Sequence, residues 1–366
     1  MLDALTNNLA GVKTPAYTLT LISKDNDDKD ITATITPRLM ALTITDNRGF
    51  ETDTLSLTLD DADGEIQMPM RGNKIGVAIG WQGAELAEMG TFTVDQVTHQ
   101  GTPDQVSILA RSVDFLGPMN SAKDGSWHDT TFGAIVEDIA KRNSLKASVA
   151  PELAAIKIAH IDQSSETDAA FLTRLAVRNG AEIAVKSDTL FFLVPGKCVR
   201  ANQKVSTVTI SRSEGDTHSF SIADREVYGS VIARWQDTST PKEQTKQIKL
   251  TRKTGATGDA TDYTAGSKKN VFTLPTLYAS KDEATRAAKA QWNEIQRKAA
   301  TFSITLAQGR TDISAETPVL VSGFKKIIDE TPWVIQKVIH GIDSNGFITQ
   351  LHLELKISEA EYELQG

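Results

Sequence analysis

The chain contains a single cysteine, Cys198, among 366 residues. One thiol cannot form an internal disulfide or, by itself, a zinc site, because both need further ligands. The sequence also lacks a run of the roughly 18 to 20 apolar residues that a membrane span requires. Its start, Met1–Thr6, has no basic segment followed by an apolar one, as a secretory signal would. These absences predict folding in a reducing cytoplasm and no membrane insertion.

Basic residues are also in short supply. Lys and Arg number 39 against 47 for Asp and Glu, and the formal net charge is -8. The acidic excess is concentrated in residues 1–120, which hold 17 acidic and 8 basic side chains. This balance disfavours a DNA-binding regulator, because nucleic acid attracts basic surfaces. The acidic part is either an ordinary solvated surface or a wall along which DNA passes without binding, since like charges repel.

Signatures of enzymes are absent as well. The sequence has no Walker A loop, no G-x-S-x-G turn and no H-E-x-x-H zinc motif. Its six histidines are not paired at metal-binding spacing. A glycosidase needs two carboxylates flanking a sugar bond, and nothing selects such a pair among 47 acidic residues. We therefore predict no catalytic residue, no cofactor and no metal site.

Short strands dominate residues 1–120. The candidate segments are rich in alternating polar and apolar residues, a period typical of half-buried antiparallel strands. They lie at 17–21, 42–45, 55–59, 74–80, 91–97 and 105–110. Several short strands without helices between them predict a small barrel or sandwich.

Residues 121–200 change to a helical period. One apolar stripe includes Phe132, Ile135 and Ile139, and a second includes Phe171 and Leu175. A hairpin is predicted to follow over residues 181–194. We interpret this part of the chain as a small α/β insert.

Strands return over residues 201–357, together with one helix. Ser280 and Glu283 fit a capping box, in which each side chain satisfies a free backbone donor of the other. The helix that follows carries a stripe of mostly small apolar residues, which we interpret as a packing surface or a subunit interface. The members of this stripe are Ala284, Ala287, Ala288, Trp292 and Ile295. A strand-rich segment thus occurs twice, although no direct sequence repeat is evident.

A series of short segments resembles the phage late control protein D family, the hub proteins of contractile tails. The series covers most of the chain, about residues 5–357, and each segment is weak alone. The matching segments are Gly90–Val97, Val106–Ser112, Thr131–Val136, Thr167–Ala176, Tyr278–Ala284, Asp312–Ser314, Trp333–His340 and Gly346–Thr349. The sequence Ser314-Ala315-Glu316 departs from the family, which commonly has a glycine turn there.

The resemblance implies a mainly β fold with an α+β insert, in which two tube-protein-like antiparallel β-barrels flank small α/β modules. Residues 1–120 would form the first barrel, 121–200 the insert, 201–357 the second barrel with one helix, and 358–366 a flexible tail. The loop at 252–270 would contact a tail partner or become ordered only on assembly.

The resemblance also implies a structural function. A homotrimer would present six similar barrels and so adapt a sixfold tail tube protein to a threefold spike protein within the virion baseplate. Baseplate wedge proteins would be further partners, and DNA would be only a passing cargo. Two alternatives stay open: the hub of a tailocin or type VI-like injection system, and a baseplate-associated cell-wall hydrolase.

Overall fold

The chain folds into two barrel-like β units, an α/β insert and a small sheet covered by a helix. The computed structural model describes residues 13–22, 28–48, 51–112, 118–186, 189–194, 199–200, 203–204, 207–222, 228–236, 246–252, 270–356 and 362–365. No helix within these ranges is long and apolar enough to cross a membrane. The mainly β fold class predicted from the sequence is confirmed.

The first β unit is an antiparallel sheet around one apolar core. Its strands are β1 (Pro15–Ile22), β2 (Lys29–Asp30), β3 (Leu39–Asn47), β4 (Thr54–Asp60), β5 (Lys74–Trp81), β6 (Ala87–Gln100) and β7 (Gln105–Arg111), with helix α1 at Thr32–Ile35 and a 3-10 turn at Thr36–Arg38. They pair in the order β3-β4-β7-β6-β5-β1-β2. Successive side chains of a strand point to opposite faces, so Leu55, Leu57 and Leu59 of β4 are buried together with Phe92 of β6.

The α/β insert follows. It consists of a 3-10 turn at Pro118–Asn120, β8 (Ala122–Thr131), α2 (Phe132–Arg142), β9 (Lys146–Val149), α3 (Pro151–Ala154), β10 (Lys157–Thr167), α4 (Asp168–Asn179), β11 (Glu182–Lys186) and β12 (Thr189–Leu193). The two predicted helices and the hairpin are present, and Gly180 ends α4 in the left-handed conformation that glycine adopts at low cost. The pairing of β8 with β10 as a two-stranded ribbon was not predicted.

A buried carboxylate holds the insert together. Asp168 has a fully buried side chain that accepts hydrogen bonds from Lys123 Nζ at 2.8 Å, Asn143 Nδ2 at 2.8 Å and Gln163 Nε2 at 2.9 Å, and it pairs with Arg142. Burial alone raises the pKa of this carboxyl, but the hydrogen bonds outweigh it and keep the pKa below its usual value. The charge is therefore retained and links ribbon and helices.

The C-terminal part contains a second β unit and a further small module. Its elements are β13 (Val199–Arg200), β14 (Gln203–Lys204), β15 (Val208–Ser211), a 3-10 turn at Arg212–Glu214, β16 (Gly215–Ile222), β17 (Ser230–Trp235), β18 (Lys246–Arg252), β19 (Val271–Tyr278), α5 (Lys281–Arg297), β20 (Ala300–Leu306), β21 (Pro318–Ser322), α6 (Lys326–Asp329), β22 (Trp333–Asp343), β23 (Gly346–Leu355) and β24 (Tyr362–Gln365). The second β unit pairs in the order β16-β20-β23-β22-β21-β15.

The helix α5, which the sequence analysis grouped with the second barrel, packs mainly on a separate sheet. Strands β19, β17, β18 and β24 form a separate four-stranded sheet, and α5 covers it. Ser280 caps α5 as predicted, because its Oγ accepts the Glu283 N–H at 3.2 Å. The reciprocal bond differs from a full capping box: Glu283 Oε2 accepts the Ala279 N–H at 3.3 Å and not that of Ser280. The stripe of small residues lets the helix approach the sheet closely.

The expected flexible tail differs from the structure in one part. Tyr362–Gln365 form strand β24, which pairs antiparallel with β18. An edge strand exposes unpaired N–H and C=O groups, and β24 satisfies those of β18. The predicted loop at 252–270 lies, apart from its two end residues, outside the described residues.

Replacing Trp292 with Ala should lower the free energy of unfolding by about 3–5 kcal/mol, because a large side chain that is 2% exposed leaves a cavity between α5 and its sheet. Urea unfolding of the isolated chain measures this. Val177→Ala, at a helix position that is 65% exposed, is the control and should change stability little. Unchanged unfolding of the Trp292 variant combined with weaker self-association would instead favour a subunit interface.

Candidate functional site

The two β units have the same strand order. Numbered by chain position within each unit, the six long strands of the first (β1, β3, β4, β5, β6, β7) and of the second (β15, β16, β20, β21, β22, β23) both pair in the order 2-3-6-5-4-1. Four of the five adjacent pairs are antiparallel in both units. The fifth is antiparallel between β1 and β5 but parallel between β15 and β21. The chain therefore contains the same sheet topology twice.

The shared topology reveals a sequence repeat that the sequence analysis missed. When the pairing registers are matched, Thr54–Leu59 (TLSLTL) in β4 corresponds to Thr301–Leu306 (TFSITL) in β20. Likewise Phe92–Gln100 in β6 corresponds to Trp333–Gly341 in β22. The repeat segments are short and are separated by insertions of different length, so they do not stand out in the sequence.

Backbone irregularities also match between the units. Both fifth strands shift register at one residue, Asp95 in β6 and Gln336 in β22. Both have a left-handed residue just before the fourth strand, Gly72 with φ +88° and Glu316 with φ +68°. The N–H of Gly72 bonds the carbonyl of Val94, and that of Glu316 bonds the corresponding carbonyl of the second unit. The family's glycine turn is thus retained as a conformation, although Glu316 adopts it at some cost in strain.

The two units are joined by a direct strand pair, which we call the seam. Strand β3 of the first unit pairs antiparallel with β22 of the second, from Lys337↔Asn47 to Asp343↔Ala41. Strand β22 extends past the end of β21, and β3 occupies the edge that this leaves open. The seam therefore makes one continuous sheet of both units.

The hairpin β22–β23 supplies side chains to both cores. Trp333 and Leu353 at its base belong to the core of the second unit, whereas Ile342 and Phe347 at its tip belong to that of the first. Trp81 of the first unit packs on Phe347 with 5.2 Å between ring centroids. Because each core is incomplete without the hairpin, the units cannot move independently without exposing apolar surface.

Trp81 is also bonded across the seam. Its indole Nε1–H donates to the carbonyl of Gly309 at 3.0 Å, and the Gly309 N–H donates to the Phe347 carbonyl at 2.7 Å. A Cβ on Gly309 would lie 2.3 Å from the Phe347 ring, so only glycine permits this approach.

A buried ion cluster closes one end of the seam. Arg48, next to the end of β3, pairs with Glu316 and Glu354 of the second unit and lies 3.6 Å from Glu182 of the insert. Arg297, the last residue of α5, lies 3.2 Å from Glu354 and 3.7 Å from Glu182. Burial raises the pKa of Glu182 against the opposing effect of the two arginines. The cluster thus joins the first β unit, the insert, the second β unit and helix α5.

A neutral histidine lies in the middle of the seam. His340 in β22 is opposite Ile44 of β3, is 1% exposed, and has its Nδ1 2.9 Å from Thr349 Oγ1. Burial lowers the pKa of His340 to about 4, although Asp46 and Asp312 oppose this shift. The ring is therefore uncharged at neutral pH.

The five residues singled out on α5 lie away from the seam. They are 0–8% exposed and pack within the chain, mainly against Val231, Ala233, Ile248 and Leu250 of the small sheet. A buried stripe of this kind contributes to the chain's own core. The residues that join the units were not predicted, because their roles depend on pairing between segments about 300 residues apart.

Comparison with known families supports the assignment suggested by this duplicated fold. The model of the family described as "Phage tail baseplate hub (GPD)" matches residues 54–346. The chain belongs to this family. It is a baseplate hub protein of a phage tail, and the resemblance noted in the sequence is confirmed.

Two curated relatives cover the whole chain. The probable baseplate hub protein of Escherichia phage P2 is 51% identical over 390 aligned positions, and that of Escherichia phage 186 is 46% identical over 391; each alignment covers 100% of this chain and 99% of the relative. Among solved structures, the 43 kDa tail protein of prophage MuSo2 from Shewanella oneidensis has a TM-score of 0.67 at 14% identity, covering 93% of this chain and 99% of that one. This last likeness concerns the fold alone.

Replacing Arg48 with Met should lower the free energy of unfolding by about 3–5 kcal/mol, because Glu316 would lose its pair with Arg48 and, of the two arginines, Glu182 and Glu354 would keep only Arg297. Denaturant unfolding of the hub measures this. Arg111→Met is the control: its pair with Asp95 is more than one-third exposed, so the loss should stay below about 1 kcal/mol. Equal losses in both variants would contradict a special role for the cluster.

The stability of the hub should fall as pH decreases from about 6.5 to about 4 through His340, whose pKa is about 4 when folded. The unfolded chain binds this proton more readily, so protonation favours unfolding in this window and has no effect above it. The contribution is roughly 3 kcal/mol, since one pKa unit is about 1.4 kcal/mol. His340→Gln should remove it from the pH profile of urea unfolding, whereas His99→Gln should not.

Proposed function

We propose that the hub is a non-catalytic adapter that closes into a ring of three copies and so presents six similar β units around one axis. The observation that carries this proposal is the seam, which already joins two such units within one chain. A contact between unlike surfaces closes into a ring when the rotation that it imposes divides a full turn. A step of about 60° per unit gives six units and therefore three chains.

The ring requires that the seam be repeated between chains. Within a chain, the second strand of the first unit, β3, pairs with the fifth strand of the second unit, β22. The equivalent pair between chains is β16 of one copy with β6 of the next. Both partners have the open edge that this needs among the described strands: β16 pairs only with β20, and β5 pairs with no part of β6 beyond Thr93.

The sequence repeat sets the register of this second seam. Ile339 of β22 pairs with Thr45 of β3. The residue that corresponds to Ile339 is Thr98, since each lies three positions after the shared register shift. Matching the registers on β4 and β20 makes Ser221 the equivalent of Thr45. Thr98 of one copy should therefore lie opposite Ser221 of the next.

Exposure is consistent with this pairing. Thr98 and Ser221 are exposed in the single chain, as are the next residues of the same register, Gln100 and Ser219. An uncovered strand edge favours addition of another strand, and a ring with all edges paired leaves none open to aggregation.

The assembled ring would serve as the adapter that the sequence suggested. One face, with six similar units, would match a sixfold tail tube protein, while the threefold symmetry of the chains would match a spike protein. Wedge proteins would bind outside, and DNA would pass through the centre as cargo. The names of the two phage relatives as baseplate hub proteins support this function and favour it over a hydrolase.

Cysteines at Thr98 and Ser221 should link neighbouring hub chains. Directly opposed strand residues have Cα atoms about 4.5–5.5 Å apart, within the range that a disulfide spans. The test uses a Cys198→Ser background, in which T98C and S221C supply the two thiols, and oxidises assembled tails before electrophoresis without reductant. We expect covalent dimers and trimers and no larger species.

The matched control combines T98C with T217C, which lies four residues further along β16 and so roughly 13 Å out of register. This pair should not link. Absence of the T98C–S221C link in assembled tails, or a ladder that continues beyond three chains, would overturn the ring.

A further inference from the structure

We propose that His128 and His160 bind a divalent transition-metal ion on the exposed ribbon β8–β10. The two histidines lie directly opposite each other, and the adjacent pair on the same face is Ser126 opposite Asp162. The sequence analysis expected no metal site, because only the strand pairing brings positions 32 residues apart together. This inference is independent of the proposed ring.

One ring nitrogen of each histidine lies close enough to the other to share a metal ion. His128 Nδ1 and His160 Nδ1 are 3.0 Å apart. The other nitrogens are engaged: His160 Nε2 lies 3.0 Å from Asp162 Oδ2, and His128 Nε2 lies 2.9 Å from Ser126 Oγ. Both Nδ1 atoms therefore lie on the side of the ring that faces the other histidine, where they share one hydrogen bond.

The separation fits the bond lengths of imidazole ligands. With metal–nitrogen bonds of about 2.0–2.1 Å, two nitrogens 3.0 Å apart subtend roughly 95° at the ion. This value is close to the angle of about 90° between neighbouring ligands of octahedral Ni²⁺ or square-planar Cu²⁺. Opening the pair by about 0.3 Å gives the tetrahedral angle that Zn²⁺ prefers.

Asp162 supplies the support that metal-bound histidines usually have. A carboxylate on the far nitrogen fixes the tautomer of the ring and makes the near nitrogen a stronger ligand.

The site is open. Within the described residues, no group of three or more His, Cys, Asp or Glu side chains could hold a metal. The ion would therefore take two protein ligands and complete its shell with water. The rings stack with 25° between their planes, so each must turn somewhat about χ2 to share an ion. The side chains of His160 and Asp162 are 52% and 51% exposed, which leaves room for this movement.

Titration calorimetry of the whole chain with Ni²⁺, Cu²⁺ and Zn²⁺ tests the proposal. We expect one ion to bind per chain. His128→Ala and His160→Ala should each weaken binding by tenfold or more. Asp162→Asn should weaken it by about tenfold while leaving both ligands in place, because the carboxylate that orients the His160 ring would be lost.

The control is His218→Ala, an exposed histidine on β16 whose ring contacts are with Phe302 and Phe324. It should leave the affinity unchanged, and circular dichroism should show that all variants are folded. Binding that survives loss of both His128 and His160, or no binding by the folded wild-type chain, would overturn the proposal.

Discussion

The architecture of this hub depends on hydrogen bonds between two strand edges. Where β22 of the second unit extends past β21, it would leave a row of unpaired N–H and C=O groups. Strand β3, at the edge of the first unit, would leave another. Each edge satisfies the other, and the hairpin β22–β23 then places Ile342 and Phe347 in the core of the first unit. The two units are consequently parts of one body.

The sequence was informative wherever structure follows from local pattern. Alternating residues predicted the strands, and Ser280 with Glu283 predicted the start of α5. The family resemblance predicted the fold class. The packing partner of α5 was not predictable, because its stripe of alanines fits any flat apolar surface. The strands that precede it, β17 to β19, form a sheet of their own with β24 and do not join the second β unit.

The joining residues were harder still to predict from sequence. Arg48, Glu182, Glu316 and Glu354 are four ordinary charged residues when read along the chain, and only pairing at long range brings them together. The repeat between Thr54–Leu59 and Thr301–Leu306 was visible in principle. The matching strand registers, the register shifts at the same place and the two left-handed turns support this repeat. A duplicated unit thus left a weak trace in sequence and a strong one in backbone geometry.

The left-handed turn before the fourth strand has kept its shape but changed its chemistry. In the first unit it is Gly72, which has no side chain, and in the second it is Glu316, whose carboxylate reaches Arg48. The contact between the two units of a chain is thus reinforced by charge, whereas the equivalent contact between chains in the proposed ring would have no such carboxylate. That ring would have three strong contacts alternating with three weaker ones. It would come apart into whole chains, each still carrying its two units, and could be put together again from them.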